Sequence, residues 1–372
     1  MKKLSRKEFI KNTALATGAL MAFHSCKNES AEIESPNIIS KKHYEWKMVT
    51  TWPPNFPVLG EGCVAFAQWV EAMSGGRMKI KVYGGGELIP ALQAFEAVNS
   101  GAVEIANGAS YYWAGINPAT QFFTTVPFGM NAQQVNAWLY QGGGLDLWTE
   151  LYAEYNLKPF PGGNTGVQMA GWFNKEIKSI EDFKGLKMRI PGLGGKVLNE
   201  VGGTAVLSAG SEIYTNLERG VIDATEWIGP YHDYKMGFQN IAKYYYAPGW
   251  HEPGSNLEFM FNKREFDKLP LDLQTILEVC AAKLNLMVLS EFEAKNNIYL
   301  QKIKDESPAE VKILPKDVLN HLKNATDTVL RELIERDRFS RKVFESYSKF
   351  KTNIMNWSNI SERLYYNDMN QL

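Results

Sequence analysis

At 372 residues the chain is longer than one ordinary hydrophobic core organises, so two lobes of roughly 100–200 residues each are expected. Its 45% hydrophobic and 22% charged residues are those of a globular protein. Lys plus Arg (40) nearly cancel Asp plus Glu (41), leaving a formal charge of -1, so the basic excess of a nucleic-acid binder is missing.

The chain starts with a basic stretch, Met1 to Lys11, followed by an uncharged, mildly apolar run from Thr13 to Phe23 that is too short to span a bilayer. Residues 1–26 therefore read as an export signal. Ser5-Arg6-Lys7-Glu8-Phe9 resembles the twin-arginine pattern with Lys in place of the second Arg, which leaves that route and the general one both open. The segment ends Phe23-His24-Ser25-Cys26, and a small residue before Cys resembles a lipoprotein cleavage site. Cys26 would then anchor an exported, periplasmic protein by lipid. The polar residues 27–43 read as a tether. Of the other two cysteines, Cys63 shares a helical apolar face with Leu59, Phe66, Val70 and Met73, and Cys280 lies in an apolar run. Both are expected as small core residues.

Tyr44 to Thr51 reads as a strand, Trp52-Pro-Pro-Asn-Phe-Pro57 as a rigid turn, and the segment up to Met73 as a helix stopped by Ser74-Gly75-Gly76. Met78 to Tyr83 alternates as a strand, Ile89 to Asn99 reads as a helix stopped by Gly101, and Ala102 to Asn107 as a strand. This βαβα rhythm implies α/β architecture. A second block repeats it: strands at Gly166 to Phe173 and Leu186 to Ile190, helices at Leu193 to Gly202 and Ser211 to Arg219, then a strand at Val221 to Ile228. Leu257 to Asn262 reads as a further strand and Leu271 to about Lys304 as a long helix. No later run of apolar residues is long enough to be read as a membrane span. The charged segment from Pro315 to Trp357 reads as helical, with Leu319, Leu322, Leu330, Leu333 and Val343 on its apolar positions. Such a tail can pack across both lobes or against a partner chain.

One residue is out of place in this pattern. If Val221 to Ile228 is a strand, Glu226 shares a face with Ile222, Ala224 and Ile228, and a carboxylate among core residues requires a cation or hydrogen-bond donors. A structural salt bridge and a binding role both satisfy that. Enzyme motifs are missing: Gly192-Leu-Gly194-Gly195-Lys196-Val197 lacks phosphate-loop spacing, no dinucleotide fingerprint follows a strand, and Pro253 prevents His251-Glu252 from being a helical zinc motif. Polar residues nevertheless gather at strand ends. Arg189 offers a fork that fits a carboxylate, or a pair for Glu181 or Asp182. Gln168 offers a carbonyl, as a solvated or capping amide or, together with Glu226 and a backbone carbonyl, as an oxygen ligand for a hard cation.

Gly76-Arg-Met-Lys-Ile-Lys-Val-Tyr83, Gly86-Glu-Leu88 and Ala97-Val-Asn-Ser-Gly101-Ala-Val-Glu104 resemble the first lobe of solute receptors of tripartite ATP-independent periplasmic (TRAP) transporters. Phe183-Lys-Gly-Leu-Lys-Met-Arg189-Ile-Pro-Gly192 and Glu212 to Asp223 resemble the second-lobe signature. Trp52 to Pro57, Ala109-Ser-Tyr111-Tyr112-Trp113, Gln168 and Glu226-Trp227 are similar to the branch that binds α-keto acids and 2-hydroxy acids.

The resemblance implies a two-lobed periplasmic-binding-protein-like fold with crossing connections, a long spanning helix and a C-terminal helical tail. Lobe 1 would comprise 44–165 plus about 252–290, lobe 2 166–251 plus about 291–314, and the tail 315–372. It implies a receptor, not an enzyme, that delivers a small organic acid such as pyruvate to TRAP membrane permease subunits. Arg189 would clamp the acid, Gln168, Glu226 and Trp227 would hold Na+ or alternatively Ca2+, and Glu252 with Tyr111 or Tyr112 would line the pocket. His251 stands where the branch has an aromatic, which leaves the accepted side chain open. The resemblance also implies homodimers formed by exchange of a C-terminal helix. The rival function is a metal-dependent enzyme acting on small carboxylic acids, with Glu252 as its one nameable base.

Overall fold

The computed structural model describes residues 42–368; the export signal, Cys26 and most of the tether lie outside the described residues. Eleven described strands form two sheets: β1 (Tyr44–Thr50), β2 (Met78–Tyr83), β3 (Ile105–Gly108), β4 (Leu157–Asn164), β5 (Gly171–Phe173), β6 (Lys187–Arg189), β7 (Thr204–Val206), β8 (Ala224–Thr225), β9 (Tyr244–Ala247), β10 (Asn256–Asn262) and β11 (Glu310–Ile313). The first sheet has the order β2-β1-β3-β10-β4 and the second β11-β9-β5-β8-β6-β7. The expected α/β class with two sheets, crossing connections, a long helix and a helical tail is what the chain forms.

Each sheet is parallel except for one reversed strand. In the first, β1 runs parallel to β2 and β3, while β10 is antiparallel to both β3 and β4. In the second, β5 is antiparallel to β8 and β9, whereas β8, β6 and β7 run together and β11 follows β9. The reversed strands β5 and β10 therefore start at the end where their neighbours finish. The chain passes from β4 to β5 and from β9 to β10 at that end, so both crossings between the sheets meet there.

Local chemistry explains most of these elements. The helix Leu59–Met73 buries Leu59, Cys63, Phe66 and Val70 at helical spacing, and Gly75 and Gly76 end it with positive φ. Cys63 and Cys280 are buried and unpaired, as expected of core residues. β10 is buried throughout because it lies between two strands and beneath helices. The helix Leu271–Glu306 is about 54 Å long at 1.5 Å per residue. It packs on Leu59–Met73, on β4 and on the helix Pro230–Met236. By length and composition it could cross a membrane, contrary to the expectation of no such span, but its Leu273, Leu277, Leu284, Val288 and Phe292 belong to the core.

The tail forms two helices, Lys316–Arg336 and Arg338–Ile360, the second capped by Asp337, which accepts from the Ser340 N–H at 2.6 Å. Val318, Leu322 and Ala325 join the apolar cluster of the second sheet, and Leu330, Leu333, Val343 and Tyr347 join that of the first. The tail thus packs across both.

Several expectations shift. The strand expected over Gly166 to Phe173 is paired as a strand only from Gly171, and that over Val221 to Ile228 only at Ala224–Thr225, because the residues beside them belong to crossing segments and the site. Ile89 to Asn99 gives a helical turn and then a helix from Ala94, since Pro90 interrupts the start. β4 is not expected from sequence, with two Pro and two Gly in eight residues; it is tolerated at the sheet edge, where β10 shifts register at Leu257/Glu258.

Glu258 on β10 is fully buried and accepts from Trp113 Nε1 at 2.6 Å and from the Tyr152 hydroxyl at 2.7 Å. Burial pushes its carboxyl up to about 7, only partly opposed by these two donors. The folded state therefore holds a proton that the unfolded chain releases near the ordinary carboxylate value of 4.5. The stability this supplies is complete at low pH and is lost as pH rises from there through about 7. Glu258→Gln, in which the Tyr152 hydroxyl can turn to accept, is expected to flatten that decline in urea denaturation followed across pH. An unchanged slope would show that Glu258 is ionised throughout.

Candidate functional site

The strand directions decide where a site can form. Ligands of open α/β sheets lie beyond the carboxyl ends of the strands, and here Trp52 follows β1, Tyr111 and Tyr112 follow β3, Arg189 ends β6, Glu226 and Trp227 follow β8, and His251 follows β9. Gln168 and Glu252 reach the same place from the crossing segments. These segments pair with one another: the Thr165 N–H donates to Ser255 O at 3.0 Å, Gln168 N–H to Glu252 O at 3.2 Å and Gly249 N–H to Gln168 O at 2.8 Å. Gly249 is required for this approach, because a Cβ there would lie 2.3 Å from the Gln168 carbonyl oxygen.

Arg189 and Glu226 form an ion pair in which both side chains are within 1% of complete burial. Neighbouring strands set it up, since the Glu226 N–H still donates to the Arg189 carbonyl at 3.2 Å after the β6–β8 ladder ends. The alternative partners expected for Arg189 are occupied elsewhere: Asp182 accepts from the Lys178 and Ser179 N–H groups, and Glu181 pairs with Lys184. The guanidinium also meets the Tyr112 hydroxyl at 3.3 Å and the Ser208 carbonyl at 3.4 Å, and lies 5.5 Å from the Trp227 ring. Burial works against its charge, but Glu226 first, and then the two tyrosine hydroxyls, holds it above the ordinary guanidinium value.

Glu252, 2% exposed, accepts from Gln168 Nε2 at 2.7 Å and from the Ser255 hydroxyl. Burial, and next the nearby Glu226 carboxylate, pushes its carboxyl up to about 7. Tyr111 is packed over Gly192, where a Cβ would lie 3.0 Å from that of Tyr111, and its ring meets that of Tyr112 at 4.8 Å. Burial raises both hydroxyls, so both stay protonated and able to donate. Trp227 meets Trp52 and Phe56 edge to face at 6.4 and 6.0 Å, which joins the second-sheet side of the site to the first.

All seven residues singled out from sequence, Tyr111, Tyr112, Gln168, Arg189, Glu226, Trp227 and Glu252, are thus brought to one end of the two sheets. The ladder stops at Thr225, and the Glu226 and Trp227 that follow it are both buried at the site. Sequence reasoning missed Ser208, Ser255 and the contribution of His251. His251 is 1% exposed, with Nε2 3.6 Å from Glu226 Oε2; its place beside Glu252 in the chain was the available signal.

Buried polar atoms without a hydrogen-bond partner among the described residues concentrate here: Gln168 Oε1, Glu226 Oε2, Trp227 Nε1, Ser208 Oγ and both ring nitrogens of His251. Unsatisfied buried groups are costly in a protein that keeps them empty. Two oxygen acceptors without donors fit a cation, and a buried guanidinium fits an anion beside it.

The ion pair itself yields a prediction. Removing one partner leaves a buried charge alone, so Arg189→Met is expected to destabilise the ligand-free protein by roughly 3–5 kcal/mol, and Arg189→Met with Glu226→Leu by much less. Denaturant titration of both variants checks this; a harmless single substitution would place Glu226 in contact with another cation.

The sequence profile of bacterial extracellular solute-binding proteins, family 7, matches residues 48–337. A monocarboxylate 2-oxoacid-binding periplasmic protein of Nostoc is 39% identical over 368 residues, covering 98% of each chain. A TRAP periplasmic solute-binding protein of Pseudoalteromonas atlantica, solved with sodium and pyruvate, is 41% identical with a TM-score of 0.86 over 88% of this chain and 99% of its own. One of Colwellia psychrerythraea, solved with calcium and pyruvate, is 43% identical with a TM-score of 0.85 over 88% and 100%. A metal-dependent enzyme is set aside by this kinship, and the chain belongs to family 7 of the bacterial extracellular solute-binding proteins, the periplasmic receptors that serve TRAP permeases.

Proposed function

We propose that this receptor captures a small 2-oxo monocarboxylate such as pyruvate, or its 2-hydroxy counterpart, together with Na+ or Ca2+. The observation that carries the reading is the buried Arg189–Glu226 pair, which leaves Glu226 Oε2 without a partner, together with the unpartnered Gln168 Oε1. Arg189, whose fork meets Glu226, Tyr112 and Ser208 in this structure, would turn toward the acid's carboxylate, with Tyr111, Tyr112 and Glu252 lining the space around it. Gln168, Glu226 and the Trp227 backbone carbonyl supply oxygen donors for the ion. When bound, the ion offsets the negative charge of the acid in a site that water does not reach. The pyruvate found with sodium or calcium in the two solved relatives supports the same choice of ligand.

The lobes proposed are 44–165 with about 252–290 and 166–251 with about 291–314, with the tail 315–372 laid over both. Because Gln168 and Glu252 sit on the two crossings, a ligand that contacts them also contacts the segments that must bend when the lobes separate. Closure then follows from a ligand that binds the closed form better than the open one.

The proposed export signal ends at Cys26, which would carry the lipid that keeps the receptor at the membrane beside its permease. Cys26→Ser is expected to move the protein from the membrane to the soluble periplasmic fraction, and an unchanged distribution would remove the anchor. A homodimer by exchange of the C-terminal helix is also proposed, supported by the exposed Leu364, Tyr365 and Tyr366 at the tail's end. A monomer in analytical ultracentrifugation would remove it.

Calorimetry of the mature protein with pyruvate, lactate and dicarboxylates, in sodium, calcium or chelator, tests the main reading. Pyruvate is expected to bind with an affinity in the micromolar range, on the order of 8 kcal/mol, and Arg189→Ala to lose that binding. If no small acid binds under any of these conditions, the receptor has another cargo.

A further inference from the structure

Among the described residues, Glu226, His251 and Glu252 form a group whose potential ligand atoms, one from each, all lie within 4.8 Å of one another. The three are 0%, 1% and 2% exposed. His251 Nε2 and Glu226 Oε2 stand 3.6 Å apart, too far for a hydrogen bond. Two donors on one tetrahedral ion, each about 2.0–2.2 Å from it, stand roughly 3.3–3.6 Å apart. Neither atom has another partner among the described residues, and His251 Nδ1 also lacks one. A carboxylate oxygen and an imidazole nitrogen, both buried and both unsatisfied, thus stand at the spacing of two ligands on one ion.

Each of the three is also held from behind. The other oxygen of Glu226 is gripped by Arg189. Glu252 receives Gln168 Nε2 at 2.7 Å and the Ser255 hydroxyl. His251 rests edge-on against Trp250 at 5.4 Å, and its Cβ lies so close to Gly194 that a side chain there would come within 3.0 Å. Oriented ligands of this kind are what a metal centre needs from its surroundings. The donor set matters too, because sodium and calcium take oxygen donors, whereas an imidazole with two carboxylates suits zinc and its neighbours.

We infer that Glu226, His251 and Glu252 form a three-ligand site for a borderline divalent ion of the zinc class, able to fill in the absence of any organic acid. The fourth position would be open to water or to the acid's own oxygen. The site uses a donor that the oxygen-ligand reading leaves idle, and it makes His251 the residue that sets which ions the pocket accepts. It shares the pocket with the proposed acid site but does not require the acid to be the cargo.

The test uses untagged mature protein, stripped with chelator and free of acids, titrated with CoCl2 under visible spectroscopy and with ZnCl2 by calorimetry. Expected are one ion per chain, the intense visible bands of four- or five-coordinate cobalt, and affinity weaker by at least about 10-fold in His251→Phe. Wild-type protein that takes up neither ion overturns the inference, as does His251→Phe binding as tightly as wild type. Should that variant fold poorly by circular dichroism, zinc-edge X-ray absorption of the wild-type complex decides: one imidazole per zinc is expected, and none overturns the assignment. Pyruvate calorimetry in sodium is run separately, so failure of the zinc site leaves the receptor reading standing, and the reverse also holds.

Discussion

The chain must cross from one sheet to the other at the end where the parallel strands finish, and the site depends on that constraint. β5 and β10 are the reversed strands, so the segments leading into them, 165–170 and 248–255, run side by side and bond to each other through Thr165, Gln168 and Gly249. The same segments that join the two sheets therefore carry Gln168 and Glu252 to that end. In the proposed closure, binding and bending would share this backbone.

Electrostatics completes what topology starts. An arginine and a glutamate removed from water at adjacent strand ends are stable only because each meets the other, and their pairing still leaves Glu226 Oε2 with no donor. The surroundings are arranged to receive charge: Glu252 and the two tyrosines resist ionising because they are buried, and Arg189 keeps its charge because Glu226 and those tyrosines face it. The tail contributes at a distance. By inserting Leu330, Leu333, Val343 and Tyr347 into one core and Val318 and Leu322 into the other, it ties together the scaffold on which the site is carried.

Much of this is legible in the order of residues alone. The first lobe's βαβ rhythm, the long helix from Leu271, the buried cysteines and the stop at Gly75-Gly76 follow from periodicity and turn chemistry, which are local. So does the oddity of Glu226: one carboxylate among apolar neighbours needs a partner wherever the segment lies. Less visible are β4, hidden by its prolines and glycines, and the short lengths of β5 and β8, which end where they do because the chain turns into the site. His251 stands out in the sequence only by its place beside Glu252 and by standing where the related branch has an aromatic.

Sequence alone thus determined the alternation of elements, the need of Glu226 for a partner, and the kinship carried by the motifs around Arg189 and Gly220, since each depends on residues near one another in the chain. Tertiary structure decided which cation answered Glu226, and the partner proved to be Arg189. It also decided that His251 Nε2 stands 3.6 Å from Glu226 Oε2, whereas Glu181 and Asp182 are engaged by near neighbours in the chain. The pairings of Glu226 with Arg189 and His251 link positions tens of residues apart, and they are set by strand order and direction, which no local pattern in the chain encodes.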